Sequence, residues 1–150
     1  ERLILRQWRP EDVLVFADMN EDSEVMRYFP GTLTREQSAA WAENCRQMLQ
    51  KQGWGLWAVE LRESAQFIGF VGLHAPTIDL PFNPCVEIGW RLARQAWGQG
   101  YATEAARACL QFGFEQIGLM MTMTAYFLGR KRFSGKRGRE SSAGCGNFVR

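Results

Sequence analysis

Histidine occurs once in this chain, at His74, and its four cysteines (Cys45, Cys85, Cys109 and Cys145) stand apart with no C-x-x-C pair among them. A histidine-based zinc site therefore lacks its ligands, and an all-cysteine site would have to be assembled from isolated residues. No metal is expected. Cys45 and Cys109 fall in helix-like segments and read as reduced core thiols. With one histidine to draw on, no Ser/His/Asp or Cys/His arrangement is evident. Long apolar runs are lacking as well: none reaches the ~18–20 residues of a spanning helix. The opening ERLILRQWRPED does not have the layout of a signal peptide. These absences favour a cytoplasmic location and no membrane contact.

What is present is the composition of one compact domain. The 150 residues are 46% apolar and 23% charged, enough to bury a real core. Collagen, coiled coil and wholesale disorder are excluded by the same balance. The formal net charge of +2 hides a break in character: residues 1–119 carry 11 basic and 15 acidic side chains, residues 120–150 carry 7 and 1.

Patterning along the chain predicts an ordered series of elements. Leu3 and Leu5 alternate with Ile4 in a strand over residues 2–8, and Arg9-Pro10-Glu11-Asp12 opens a helix with Val13, Phe16 and Ala17 on its apolar side. Asp22-Ser23-Glu24 begins a second short helical piece that stops at Phe29-Pro30-Gly31. Thr34 and Gln37 form a capping box for a helix that carries Ala40, Trp41, Cys45, Met48 and Leu49 and ends near Gly53. Residues 55–61 and 66–73 are apolar strands joined by the four-residue loop Arg62-Glu63-Ser64-Ala65. A connection with Pro76, Pro81 and Pro84 leads to a strand over 85–92. A loop then opens into a long helix lined by Ala102, Ala105, Ala106, Cys109, Leu110 and Phe114. The order β-α-α-β-β-β-loop-α predicts an α/β (α+β) domain with a largely antiparallel sheet.

The chemically informative stretch is Val86-Glu87-Ile88-Gly89-Trp90-Arg91-Leu92, then Gln95-x-x-Gly98-x-Gly100, then Tyr101-Ala102-Thr103-Glu104. A strand feeds a glycine-bearing turn that opens directly into a helix. Unpaired backbone N–H groups at the positive end of a helix suit a phosphate or pyrophosphate. Gly98 and Gly100 supply backbone angles closed to other residues and let a ligand approach without a Cβ in the way. No Gly-Lys-Ser/Thr follows, so this is not a P-loop. Thr103 stands where a dinucleotide fingerprint needs its third glycine.

Glu-Ile-Gly-Trp-x-Leu followed by Gln-x-x-Gly-x-Gly-Tyr-Ala-Thr-Glu-Ala resembles the acetyl-coenzyme A motif of the GNAT N-acetyltransferases. The opening strand with Arg9-Pro10-Glu11-Asp12, and Phe67-Ile68-Gly69-Phe70-Val71-Gly72-Leu73, resemble the RimJ/RimL-like branch more closely. The resemblance covers about residues 2–119 and implies a GNAT-like core there: a mixed, mostly antiparallel central sheet flanked by helices. It implies acetyl-CoA as cosubstrate, with the pyrophosphate cradled by the backbone of Gln95, Trp97, Gly98, Gln99, Gly100, Tyr101, Ala102 and Thr103. The pantetheine arm would pair with the backbone of the strand ending at Leu92, as an added strand pairs with a sheet edge. Trp97 itself is expected to pack under the loop.

Catalysis in such a family is direct transfer from thioester to amine, without an acyl-enzyme. The protein removes a proton from an ammonium and steadies a developing oxyanion. Glu87, on the coenzyme-bearing strand, is the catalytic base this implies, against a reading as a structural strand carboxylate. His74 is a further base or substrate contact, against a reading as a polar strand-end residue. Trp54 and Phe29 are candidates to wall an acceptor pocket; the other tryptophans read as core or rim.

The resemblance ends after Gly118-Leu119. Residues 120–127 could form one more strand, but from Leu128 the chain is basic and rich in Gly and Ser, with no Asn-x-x-Ser helix start and no Lys-Leu-Gly turn. A shifted reading frame or rearranged gene end would produce such a change. Residues 120–150 are therefore expected to be an atypical basic C-terminal segment of the same domain. The acid that the resemblance implies for the leaving thiolate, a Tyr or Ser from this late region, has no assignable match here; Tyr126 is the only tyrosine in the segment. The resulting expectation is an acetyl-CoA-dependent N-acetyltransferase acting on a small-molecule or peptide primary amine. Its alternative is a catalytically impaired coenzyme-binding remnant with an altered end. A homodimer, with the tail packed on a partner chain, stays open. Nucleic-acid binding through the basic tail is disfavoured for want of aromatics to stack bases. The mildly acidic body slightly favours a cationic substrate.

Overall fold

A computed structural model describes residues 2–76, 85–119 and the two-residue strand at 123–124. Within it one sheet runs in the order β1 (Leu3–Arg6), β2 (Leu56–Leu61), β3 (Phe67–His74), β4 (Glu87–Leu92) and β5 (Met123–Thr124). The first four are antiparallel neighbours and β5 lies parallel to β4. Helices α1 (Asp12–Glu21) and α2 (Arg35–Gln52) cover one face of the sheet, and α3 (Tyr101–Phe112) covers the other. This is the mixed, mostly antiparallel architecture expected from the sequence. The basic segment and Tyr126 lie outside the described residues.

The two faces bury different chemistry. Against α3 the sheet packs Val59, Ile68, Val71, Leu73, Ile88 and Leu92 onto Ala105 and Cys109. Small residues on the helix let it approach the aliphatic sheet closely. On the α1/α2 side the core is aromatic, with Trp8, Phe16, Trp41, Phe67 and Phe70 in edge and tilted contacts at centroid separations of 4.7–6.4 Å.

Local chemistry sets the helix ends. Thr34 Oγ1 accepts from Gln37 N while Gln37 Oε1 accepts from Thr34 N, closing the capping box. Gly53 ends α2 in the left-handed conformation at φ 78°. The buried stripe of α2 is Ser38, Ala42, Cys45 and Leu49, so Ala40, expected on the apolar side, is exposed instead. The expected helical piece after Asp22 is not a helix. Its backbone bonds mix spacings (Met26 N to Asp22 O, Arg27 N to Glu24 O, Phe29 N to Met26 O), and Asp22 Oδ1 takes the Glu24 amide at 2.8 Å. A short acidic side chain that captures a nearby amide competes with helix formation, and the segment becomes a run of turns.

Two features fix β4, the strand that carries the informative motif. The β2–β3 hairpin closes with Leu61 N donating to Gln66 O, around the expected four-residue loop. In β3, Gly69 adopts φ +135°, and a Cβ there would stand 2.1 Å from the Arg91 carbonyl oxygen of β4. Only glycine lets the two strands meet at that point. On the other side of the sheet, Arg6 donates to both oxygens of buried Asp12 at 2.7 and 2.8 Å, and to Glu60 at 2.6 Å. Arg9 adds a contact to Glu60 at 3.0 Å. This buried network ties β1 and β2 to the start of α1, and Asp12 holds the Arg6 guanidinium pKa well above its ordinary value.

Candidate functional site

The turn between β4 and α3 is built from backbone. Residues 94–96 make one tight helical turn, Gly98 and Gly100 both take left-handed angles (φ 75° and 79°), and α3 begins at Tyr101 without a side-chain cap. Gly98 faces open space: a Cβ there would meet nothing within 4 Å. An uncapped helix start with exposed glycine backbone before it presents N–H donors and the positive dipole end to an anion. Gln99 Nε2 donates to Gln95 O at 3.1 Å, which holds the turn in shape. Arg2, which the sequence does not single out, clamps it from outside. Its Nη2 donates to Gln99 O at 3.1 Å, its Nε to Glu104 at 2.9 Å, and its guanidinium lies 4.6 Å from the Tyr101 ring centroid.

Beside this turn, β4 is paired unequally. β3 matches it from Glu87 to Leu92, whereas β5 meets only Glu87 and Ile88 among the described residues. Ala93 N donates to Ile68 O on the β3 side. By strand alternation the backbone polar groups of Leu92 point to the opposite edge, where no described strand residue pairs with them. There the Leu92 carbonyl accepts Trp97 Nε1–H at 2.8 Å. Trp97 does not pack under the loop as expected. The residue is 46% exposed, because the hydrogen bond to Leu92 holds the ring over the strand end.

A cavity of about 490 Å³ opens on the α2 side of β4. Phe29, Trp41, Phe70 and Trp97 form much of its wall, and the whole of β4 borders it. Phe29 therefore sits where the sequence reading puts it. Trp54 does not: it packs against the aliphatic core on the α3 side, carried there by the chain's entry into β2. At one end of the cavity His74 and Glu87 are register partners, with His74 Nδ1 3.1 Å from Glu87 Oε1 and both side chains partly exposed. Two residues that the sequence offers separately thus stand side by side at one end of the cavity.

Farther along the same strand face is Arg91, which the motif leaves as a variable position. It is 8% exposed and lines the cavity. Its guanidinium carbon lies 4.0 Å from the Phe29 ring centroid and 5.6–5.9 Å from those of Phe16, Trp41 and Phe70. Nη1 donates to Asn20 Oδ1, while Nε is buried without a partner. Burial brings the Arg91 pKa down to about 10 and pushes the Cys45 thiol up to about 12. The period-2 alternation Glu87, Gly89, Arg91 is the one signal that could have placed Arg91 on the Glu87 face. Nothing in the sequence marks Asn20. Among the described residues no group of three His, Cys, Asp or Glu could hold a metal, and no helix is long and apolar enough to cross a membrane.

Comparison with known proteins agrees with this geometry. A family profile described as an acetyltransferase (GNAT) domain matches residues 2–130. YkkB of Bacillus subtilis is 33% identical over 117 residues, which is 77% of this chain and 67% of that protein. The FsC-acetyl coenzyme A-N(2)-transacetylase of Aspergillus fumigatus is 31% identical over 137 residues, 85% of this chain and 54% of the relative. Among solved structures, an acetyltransferase from Agrobacterium tumefaciens superposes with a TM-score of 0.71 at 26% identity, over 83% of this chain and 70% of that one. This chain thus spans between about half and 70% of the length of these relatives.

Proposed function

Because the chain belongs to the GNAT acetyltransferase family, we propose that it moves an acetyl group from acetyl-CoA to a primary amine by direct attack. The observation that carries this reading is an uncapped, glycine-bearing start of α3 beside a β4 edge that, among the described residues, β5 meets only at Glu87 and Ile88. Residues 95–103 would hold the pyrophosphate on backbone amides, and β4 would line the pantetheine arm up toward the cavity. The name of the Aspergillus fumigatus relative, which states acetyl coenzyme A, supports the same cosubstrate. The Arg9-Pro10-Glu11-Asp12 opening and the Phe67–His74 strand favour the RimJ/RimL-like branch within the family.

The chemistry follows from the cavity. Glu87 accepts a proton from the acceptor ammonium, directly or through water, with His74 at 3.1 Å to share the charge. The neutral amine attacks the thioester carbonyl, the C–N bond forms, the C–S bond breaks, and coenzyme A leaves as a thiol on taking up a proton. The aromatic wall excludes water from the reacting carbon.

The test is thermal unfolding with and without acetyl-CoA, followed by release of free thiol in the presence of an amine panel. Ligand at 100 times its Kd should add about 2.7 kcal/mol of stability. A shift with amine-dependent thiol release establishes the reading. A shift without turnover identifies a coenzyme-binding remnant, and no shift removes the coenzyme assignment.

A further inference from the structure

We infer that Arg91 is an anion-binding group at one end of the acceptor cavity, and that the acceptor is therefore an amine that also carries a carboxylate. The inference rests on the acetyltransferase reading for the amine end and on Arg91 alone for the anion end.

A guanidinium that is nine-tenths buried costs several kcal/mol to desolvate unless a counter-charge or a full set of hydrogen bonds compensates it. Among the described residues no carboxylate does so for Arg91. The acid on its strand face, Glu87, is engaged with His74. The rings of Phe29, Phe16, Trp41 and Phe70 favour the cation through their π-faces, but they accept nothing from N–H groups lying in the guanidinium plane. Of its five N–H donors, one meets the neutral Asn20 carbonyl and the Nε hydrogen is buried and unpaired. Asn20 is in turn held by its own bond to Ser38 Oγ at 2.9 Å, with both residues fully buried. The guanidinium is positioned, mostly buried and, among the described residues, short of acceptors, which is the state that a planar carboxylate completes.

The cavity fits such a ligand. Between Glu87 and Arg91 on the same strand face is Gly89, where a Cβ would meet nothing within 4 Å, so the floor joining the two ends is open. Four residues of strand place the two Cα atoms roughly 13 Å apart. That span suits an elongated amino carboxylate, with its ammonium at Glu87 and its apolar body along Phe29, Trp41 and Phe70. A polyamine would instead bring positive charge against Arg91, so the cavity disfavours it even though the acidity of residues 1–119 favours a cationic substrate.

Binding is measured calorimetrically on the whole chain, near neutral pH and without coenzyme, for matched pairs: aminohexanoate against aminohexanamide, and aminomethylbenzoate against its carboxamide, with spermidine alongside. We expect the acid of at least one pair to bind about tenfold more tightly than its amide and than spermidine. We also expect Arg91→Met to abolish that difference while keeping the thermal shift with acetyl-CoA, and Arg91→Lys to restore part of it. Equal binding of acids and amides, no binding of any acid, or an acid preference that survives in Arg91→Met would each overturn the inference. Should Arg91→Met not fold, the wild-type acid-against-amide comparison decides alone. An acid preference without an acetyl-CoA shift would keep the anion site and remove the acetyltransferase reading. An acetyl-CoA shift without acid preference would do the reverse.

Discussion

His74 Nδ1 and Glu87 Oε1 lie 3.1 Å apart across β3 and β4, so the chain's one histidine and the carboxylate proposed as the base meet in one pair. Glu87→Gln keeps the shape and removes the proposed base. Acetyl transfer should fall by ~10²-fold or more, with acetyl-CoA affinity unchanged. His74→Ala should cost less, because the Glu87 carboxylate stays in place and only its 3.1 Å neighbour is lost. Wild-type turnover in Glu87→Gln would remove the carboxylate from the mechanism.

Gly69 controls the same strand from behind. A methyl group there would press on the Arg91 carbonyl oxygen at 2.1 Å and the Leu92 Cα at 2.8 Å, on a backbone already at φ +135°. Gly69→Ala should lower stability by at least about 2 kcal/mol in urea unfolding and weaken acetyl-CoA binding together. Unchanged unfolding in this variant would mean that β3 and β4 need not approach this closely.

Asp12 anchors the buried ionic network. It is 1% exposed, takes both bonds from Arg6 and also accepts the Arg9 amide at 2.8 Å. Asp12→Ala leaves Arg6 with the Glu60 carboxylate and the Gln7 carbonyl and strips the start of α1. The expected loss is about 3–5 kcal/mol. A loss below 1 kcal/mol would show that Glu60, the Gln7 carbonyl and water suffice for Arg6.

Burial pushes the thiols of Cys45 and Cys109 up to about 12 from an ordinary value of 9.0. A raised native pKa means that the folded chain holds the proton after the unfolded chain has released it. The resulting stability is complete below pH 9 and is lost as pH rises from about 9 to about 12. The Cys45→Ala, Cys109→Ala double variant should therefore lose stability less steeply across that window than the parent. Near neutral pH neither thiol should react with a disulfide reagent until the chain unfolds. Rapid native-state labelling of Cys45 or Cys109 would contradict their burial.

Signals of short range were legible in the sequence. The Thr34–Gln37 capping box and Gly53 bound α2 because each is decided by a few neighbouring backbone groups. The Arg62-Glu63-Ser64-Ala65 loop, the strand that bears Glu87 and the Gly98–Gly100 turn into α3 are local in the same sense. The run after Asp22 misled because acidic and serine residues open helices and turns alike, and only the captured Glu24 amide distinguishes the two.

The sequence by itself determined the order of elements, the glycine-bearing turn at the start of α3 and the presence of a carboxylate on β4, since each depends on residue type and spacing along one stretch of chain. Tertiary structure alone decided the pairing of His74 with Glu87, the clamp of Arg2 on Gln99, and the placing of Arg91 among four rings with Asn20 as its fixed neighbour. These relationships join residues 13, 97 and 71 positions apart. They arise from strand register and from which sheet face α1 and α2 cover. A hydrophobic pattern specifies that a face is buried, but not which polar group it will leave without a partner.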